Sequence, residues 1–215
     1  MKLKTLLVTA LIISNLIFAE KKPVDYVDPF LGTSSSRWML YPGPSMPFGM
    51  VKLSPDNSEI NGMLDAGYEY TTESISGFGH VHSWMMGSFL TMPTTGNIKI
   101  KPGSKDNPDK GYRSRISHEN EKASAGYYSV YLDDYDIKAE LTATTRTGFQ
   151  RYTFPKSSTA HILFDLQVPE EGRPEIINAE IVKISDNEIT GFVKRIDGWN
   201  EYTLHFVALF NRPFD

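Results

Sequence analysis

The sequence has 215 residues, of which 40% are hydrophobic and 22% are charged, and its formal net charge is −4. This is the composition of an ordinary globular protein, and it excludes disordered, collagen-like and coiled-coil chains. The acidic balance argues against nucleic-acid binding through a basic surface. Because there is no cysteine, disulfides, zinc ribbons and cysteine nucleophiles are excluded as well.

The first nineteen residues have the layout of a secretory signal peptide. Lys2 and Lys4 precede an apolar run over 6–18, and Ala19 ends the segment just before charged residues begin. The run is shorter than the roughly 20 residues that a membrane-spanning helix needs. The alternative is a buried N-terminal strand or helix. We expect residues 1–19 to be a cleaved leader, with no membrane span, on a secreted or periplasmic protein.

The stretch from 23 to 121 is irregular and rich in glycine and proline. Segments such as PGPSMPFG at 42–49 and MPTTG at 92–96 are typical of turns and interrupt regular structure. Short strands fit between them, and we expect two of these at 49–53 and 97–101.

From Tyr127 onward, apolar and polar residues alternate. In the run 137–143 every second residue is apolar, which is the pattern of a half-buried antiparallel strand. Similar runs, separated by turn-forming residues, occupy 127–132, 148–154, 160–166, 177–184, 188–193 and 202–210. Many short strands at this spacing predict an all-β sandwich or barrel.

One glycine-rich segment carries the main candidate for chemistry. His80 and His82 lie two residues apart in SGFGHVHSW, with Gly79 before them and Trp84 after them. On an extended backbone their side chains point the same way, so both imidazoles could address one metal or one sugar hydroxyl. A zinc site needs three or four ligands. The alternative is a structural pair that bonds to neighbouring backbone, and the spacing alone leaves both open.

Other candidates are weaker. Asp106, Asn107 and Asp109 do not match the spacing of a calcium-binding loop, and we interpret them as a solvated turn. The sequence contains no G-x-S-x-G, GxGxxG or P-loop pattern. A glycosidase needs two carboxylates at a defined separation, and no pair of that kind stands out.

Six sequence blocks in a fixed order resemble the N-terminal domain of glycoside hydrolase family 92. They are VDPFLGT at 27–33, YPGPSMPFGMVKLSPDN at 41–57, AGYEY at 66–70, SGFGHVHSW at 76–84, the long block 124–155 and LHFVALFNRPF at 204–214. Members of this family are exo-acting, inverting, calcium-dependent α-mannosidases.

The resemblance implies a specific architecture. Residues 20–215 would form an antiparallel β-sandwich of the galactose-mutarotase-like supersandwich type, with a long irregular N-terminal half. In the family a catalytic (α/α)6 barrel follows and carries the acid, the base and most calcium ligands. We expect this chain to lack that barrel, so that the partners are a mannose-containing glycan and a barrel from downstream sequence or a second chain.

The resemblance also bears on the site. It implies that His80, His82, Trp84 and Gly79 lie toward the sugar pocket and bind substrate, outside the sandwich core. Members of the family often carry a tryptophan shortly before the AGYEY block, whereas Met63 and Leu64 occupy that stretch here, which puts the usual stacking contact in doubt.

Three functions are compatible with these features. The first is a domain of a secreted α-mannosidase that lends loops to the sugar site and is inactive alone. The second is a stand-alone carbohydrate-binding module without hydrolase activity. The third is a degenerate scaffold that binds nothing.

Overall fold

The protein is all-β. The computed structural model describes residues 21–34, 40–57, 67–82, 89–167, 175–197 and 200–215. Its strands are β1 (Ser54–Asp56), β2 (Ser74–Ile75), β3 (Gly77–Gly79), β4 (Leu90–Thr95), β5 (Ser114–Arg115), β6 (Lys122–Ser124), β7 (Tyr127–Leu132), β8 (Ile137–Ala143), β9 (Gly148–Thr153), β10 (Ala160–Asp165), β11 (Glu175–Ser185), β12 (Glu188–Asp197) and β13 (Asn200–Leu209). Short 3₁₀ turns cover Pro23–Tyr26, Pro108–Lys110 and His118–Asn120. Among the described residues no helix is long and apolar enough to cross a membrane.

The strands form four antiparallel sheets. A meander of β6, β7, β8 and β9 makes one four-stranded sheet, and β1, β3, β4 and β10 make another. Strands β11, β12 and β13 make a three-stranded sheet, and β2 pairs with β5. This agrees with the all-β sandwich that the alternation and the resemblance predict.

The strands of the second half follow the predicted pattern closely. The expected runs 127–132 and 137–143 coincide with β7 and β8, and the bounds of the remaining runs lie within two residues of those of β9, β10, β11 and β13, while β12 extends four residues beyond the expected run 188–193. Within 137–143, the alternating apolar residues up to Leu141 are buried. The period of two therefore identifies both the strands and their inner face.

In the irregular half, three expectations are wrong. Residues 97–101 form no strand. In the expected strand 49–53 only Lys52 forms a β-bridge, to Ser45, and the neighbouring strand β1 begins at Ser54. The segment 92–96, expected as a turn, lies mostly in β4. Pro93 is tolerated there because β3 pairs only with the first two residues of β4, at Leu90 and Thr91. A proline without an N–H fits where one side of a strand has no partner.

The main core lies between the β6–β9 sheet and the short strands of the first half. Thirteen buried hydrophobic residues form it, with Leu53, Ile75, Phe78, Leu132 and Ile137 fully inaccessible. A smaller cluster of Phe89, Ile189 and Phe206 joins β12 and β13 to the rest. His80, just beyond the end of β3, stacks on Phe89 of this smaller cluster.

Candidate functional site

His82 lies just beyond β3 and is held by the chain around β1. Its Nδ1 donates to the carbonyl oxygen of Lys52 at 2.7 Å, and its ring lies 5.1 Å from that of Tyr41. Only 3% of His82 is exposed, and its Nε2 has no hydrogen-bond partner among the described residues. The Lys52 carbonyl therefore fixes the orientation of this buried imidazole.

His80 lies where three sheets meet. Its ring stacks on Phe89 with centroids 5.3 Å apart, and its Nε2 lies 3.4 Å from the side-chain nitrogen of Gln150 on β9. Phe89 in turn packs on Phe206 of β13 at 4.3 Å. A Cβ at Gly148 would come within 2.6 Å of the His80 Nε2. The glycine therefore makes room for the imidazole at the start of β9.

Both imidazoles are kept neutral at physiological pH. Burial, with a smaller contribution from the neighbouring His82, lowers the pKa of His80 to about 4. Burial also lowers the pKa of His82 to about 4, against the opposing effect of the Lys52 carbonyl. Desolvation disfavours the charged form of a histidine. The pair is therefore suited to hydrogen bonding with neutral groups, and it does not act as a cation.

The expectation that both histidines lie outside the packed interior is wrong for His82. Hydrogen bonding to the Lys52 carbonyl satisfies one ring nitrogen, and this lets an imidazole be buried. Gly79 is also buried: it lies in β3, paired with Ser54 and with Leu90. Trp84 lies outside the described residues, as do Met63, Leu64 and the expected leader.

Near the histidines lies a turn within the glycine- and proline-rich segment 42–49. The N–H of Gly49 donates to the Met46 carbonyl at 2.8 Å, and Phe48 has a φ of 57°. Pro47 in the second position and a positive φ in the third are the pattern of a type II turn. Phe48 is fully exposed. The glycine and prolines of PSMPFG predicted a turn. From residue type alone the positive φ would be expected at Gly49, whereas the structure has it at Phe48.

A second polar cluster lies under the AGYEY block. The carboxylate of Glu121 accepts hydrogen bonds from Tyr68 at 2.8 Å and Tyr128 at 2.5 Å, and it pairs with His118 at 2.6 Å. The His118 ring stacks on Tyr70 at 4.1 Å. Glu121 and both phenols bound to it are buried. This cluster ties residues 68–70 to the β6–β7 region and serves the fold.

The described residues do not fit a resident metal. No group of three or more histidine and carboxylate side chains that could hold an ion occurs within the described ranges. Calcium takes six to eight oxygen ligands. The calcium that the resemblance implies therefore has no ligand set in the described part of this chain.

Comparison with known proteins gives consistent matches. The model of the glycosyl hydrolase family 92 N-terminal domain matches residues 26–215. The family GH92 alpha-mannosidase BT3965 from Bacteroides thetaiotaomicron superposes with a TM-score of 0.84 at 35% identity, over 92% of this chain. Its structure in complex with mannoimidazole gives 0.82 at 36% identity over 90% of this chain. An uncharacterized secreted glycosidase from Arthroderma benhamiae is 27% identical over 173 residues, or 75% of this chain.

These relatives are much longer than the matched region. The chain spans 27% and 26% of the two α-mannosidase structures and 20% of the fungal glycosidase. Within that portion the all-β fold and the extent of the family match agree. The chain belongs to glycosyl hydrolase family 92, and residues 26–215 are that family's N-terminal domain.

Proposed function

We propose that this chain is the N-terminal β-sandwich of an exported α-mannosidase and supports a sugar pocket that a further domain completes. The observation that carries the proposal is the superposition of 92% of the chain on 27% of an α-mannosidase, at 35% identity and a TM-score of 0.84. Identity at that level over a whole domain supports a shared role as well as a shared fold.

In this proposal the histidine segment lends its loop to the pocket. The Lys52 carbonyl fixes the His82 ring, and Phe89 stacks against His80, so the chain that continues toward Trp84 starts from a rigid position. We propose that His80 and Trp84 contribute to mannoside binding in the completed pocket, while Gly79 and the buried His82 hold the segment in place. Neutral imidazoles suit this role because sugar hydroxyls exchange hydrogen bonds without needing a charge.

The catalytic carboxylates are proposed to come from elsewhere. Glycoside hydrolysis uses a carboxylic acid and a carboxylate on opposite sides of the scissile bond. We place both, together with the calcium ligands, on a further (α/α)6 domain supplied by downstream sequence or by a second chain. The isolated chain then hydrolyses no α-mannoside, because it offers substrate contacts without the proton donor and the base.

Export is part of the same proposal. Residues 1–19 have the sequence pattern of a signal peptide, and the Arthroderma relative is described as secreted. A glycan-degrading enzyme outside the cytoplasm meets its substrate directly. Amino-terminal sequencing of the protein recovered from the periplasm or medium of the host is expected to begin at Glu20.

A domain exchange tests the proposal. Residues 26–215 replace the matched quarter of the α-mannosidase BT3965, and release of mannose from an α-1,2-linked disaccharide is measured. We expect the chimera to hydrolyse the disaccharide, while neither this chain nor the truncated relative does so alone. A soluble, folded chimera without activity would contradict the proposal. Mannose release by the isolated chain would contradict it in a different way, by showing that the chain carries its own acid and base.

A further inference from the structure

The turn Met46–Gly49 presents an aromatic ring to solvent at a conformational cost. Phe48 occupies the third position with a φ of 57°, where glycine or asparagine is normally found. For other L-residues this region costs roughly 1–2 kcal/mol because the Cβ crowds the following carbonyl. The next residue is Gly49, yet the positive φ of this turn belongs to the phenylalanine and not to the glycine.

Packing within the chain does not offset this cost. Phe48 is fully exposed, and Met46 and Met50 are 46% and 73% exposed. Burying a phenylalanine contributes about 1.5–3 kcal/mol, and Phe48 obtains none of this in the isolated chain. A strained residue held in a well-anchored turn without a packing benefit indicates a role in binding.

The turn is anchored beside the histidines and beside a polar turn. The N–H of Lys52 donates to the His80 carbonyl at 2.9 Å, and the N–H of Met50 donates to the Thr145 carbonyl at 2.8 Å. Thr145 belongs to the 144–147 turn between β8 and β9, whose four residues are all exposed. The hydrogen bond from Met50 therefore holds the turn that carries Phe48 next to the 144–147 turn, whose side chains are exposed hydroxyl and guanidinium groups.

We propose that Phe48, with the 144–147 turn beside it, is a platform for the apolar face of a neutral pyranoside ring. This rests on the proposed function and names the residue that would contact the sugar by stacking. Aromatic rings present a large apolar face at low entropic cost, and ligand sites combine such faces with a few polar groups that fix orientation. In this arrangement the ring CH groups lie on Phe48 and the hydroxyls reach the side chains of the 144–147 turn.

A neutral sugar fits this surface better than a charged ligand or an apolar protein. No charged residue occurs in the segment 45–50, and the single guanidinium of Arg146 in the neighbouring turn can donate hydrogen bonds to sugar hydroxyls. A protein anchor of this size is usually inserted in a desolvated pocket within an apolar interface. Here the neighbouring turn is made of threonines and arginine, which would be desolvated at a cost in such an interface.

Titration of the purified protein with methyl α-D-mannopyranoside, followed by amide chemical shifts, tests the platform. We expect saturable shifts around residues 46–50 and 144–147. Phe48→Ala is expected to weaken binding roughly three- to tenfold, the range that aromatic contacts generally contribute. Phe48→Trp is expected to restore it, and Tyr26→Ala, which removes another exposed aromatic ring, is expected to leave it unchanged.

A backbone control separates binding from folding. Phe48→Gly is expected to weaken binding as Phe48→Ala does, while its melting temperature stays the same or rises by a few degrees because the strain is relieved. If Phe48→Ala and Phe48→Gly bind like the parent, the platform is wrong and the proposed function stands. If the parent shows no saturable shifts, the platform is wrong, whereas the proposed function, in which a further domain completes the pocket, is decided by the domain exchange. Concentration-dependent self-association that disappears in Phe48→Ala would assign the ring to a protein contact and overturn the sugar platform.

Discussion

The two β-sheets of the second half follow the same sequence pattern but have different surroundings. In the β6–β9 sheet, β7 and β8 bury one face completely, and Leu132, Ile137 and Ala139 have no exposed surface. In the β11–β13 sheet, ten of the eleven residues of β11 are exposed. Alternation of apolar and polar residues therefore specifies a strand and its two faces, but it does not specify what covers them.

The exposed sheet has an apolar outer row. Val182 pairs with Thr190, which pairs with Val207, and the two valines are 39% and 63% exposed. Leu209, two residues further along β13, is 75% exposed. Exposed apolar patches of this kind mark interaction surfaces in soluble proteins. Since the relatives are about four times as long as the matched region, a further domain is the occupant that we propose.

His80 lies between the two regions, near Gln150 of β9 and stacked on Phe89, and protonating it together with His82 is expected to produce the largest effect. Their pKa values of about 4 lie below the value of about 6.5 in an unfolded chain. The unfolded state therefore takes up protons first as the pH falls, and stability is lost between pH 6.5 and 4, on the order of 2–3 kcal/mol for each imidazole. Denaturant titrations at several pH values measure this loss.

The double variant His80→Gln, His82→Gln serves as the control for that profile. It is expected to be less stable at neutral pH and to show a much flatter dependence between pH 6.5 and 4. Glu140 titrates outside this window: Arg151 holds its pKa at about 2, so its contribution is lost only below about pH 4.5. An equally steep profile in the double variant would mean that other groups cause the acid sensitivity.

The contrast between the two sheets predicts a second large effect. Leu132→Ala in β7 is expected to lower the free energy of unfolding by about 2–5 kcal/mol, because it leaves a cavity in a fully buried position. Leu209→Ala in β13 removes the same atoms from an exposed position and is expected to change it by less than about 0.5 kcal/mol. Similar losses in both variants would show that the β11–β13 sheet is packed in solution.

The sequence predicted much of the fold, for a physical reason. Strands such as β7 and β8 lie in a meander in which each strand pairs with its neighbours along the chain, so local alternation is enough to find them. Strand β4 was missed because Pro93 is acceptable only where β3 stops pairing with it. Whether a strand has a partner on both sides is determined by the sheet, and the sequence of the strand alone does not show it.

The candidate site was less predictable than the fold. The sequence located His80 and His82 in a segment of interest, but their burial depends on Phe89, Gly148 and the Lys52 carbonyl, which are distant in sequence or not marked by residue type. The positive φ of Phe48 contradicts the usual preference for glycine at that turn position. Sequence rules fail at such positions because the residue type there is not the one that folding alone favours.

A buried hydrogen bond in the first region predicts an intermediate effect. Tyr128→Phe removes one of three donors to the buried Glu121 carboxylate, and we expect a loss of about 1–2 kcal/mol in the free energy of unfolding. Tyr127→Phe is the matched control, since the adjacent tyrosine is half-buried and donates to Glu140, a carboxylate that Arg151 also holds through two hydrogen bonds. It is expected to cost less than half as much. Equal losses would show that burial does not amplify the bond to Glu121.

The smallest effect on stability is expected on the outer face of the β11–β13 sheet, where the effect on assembly should be greatest. Val207→Lys places a charge in the exposed apolar row, and because the site is already solvated, the isolated chain should unfold within about 0.5 kcal/mol of the parent. A face that a further domain covers would instead bury that ammonium without a partner, which is costly. In the chimera with the α-mannosidase BT3965, the same change is therefore expected to reduce activity and domain cohesion. Lys194→Ala, on the same face but polar in the parent, is the control. Full activity of the Val207→Lys chimera would show that the further domain packs elsewhere, and the exposure of this sheet would then need a different partner.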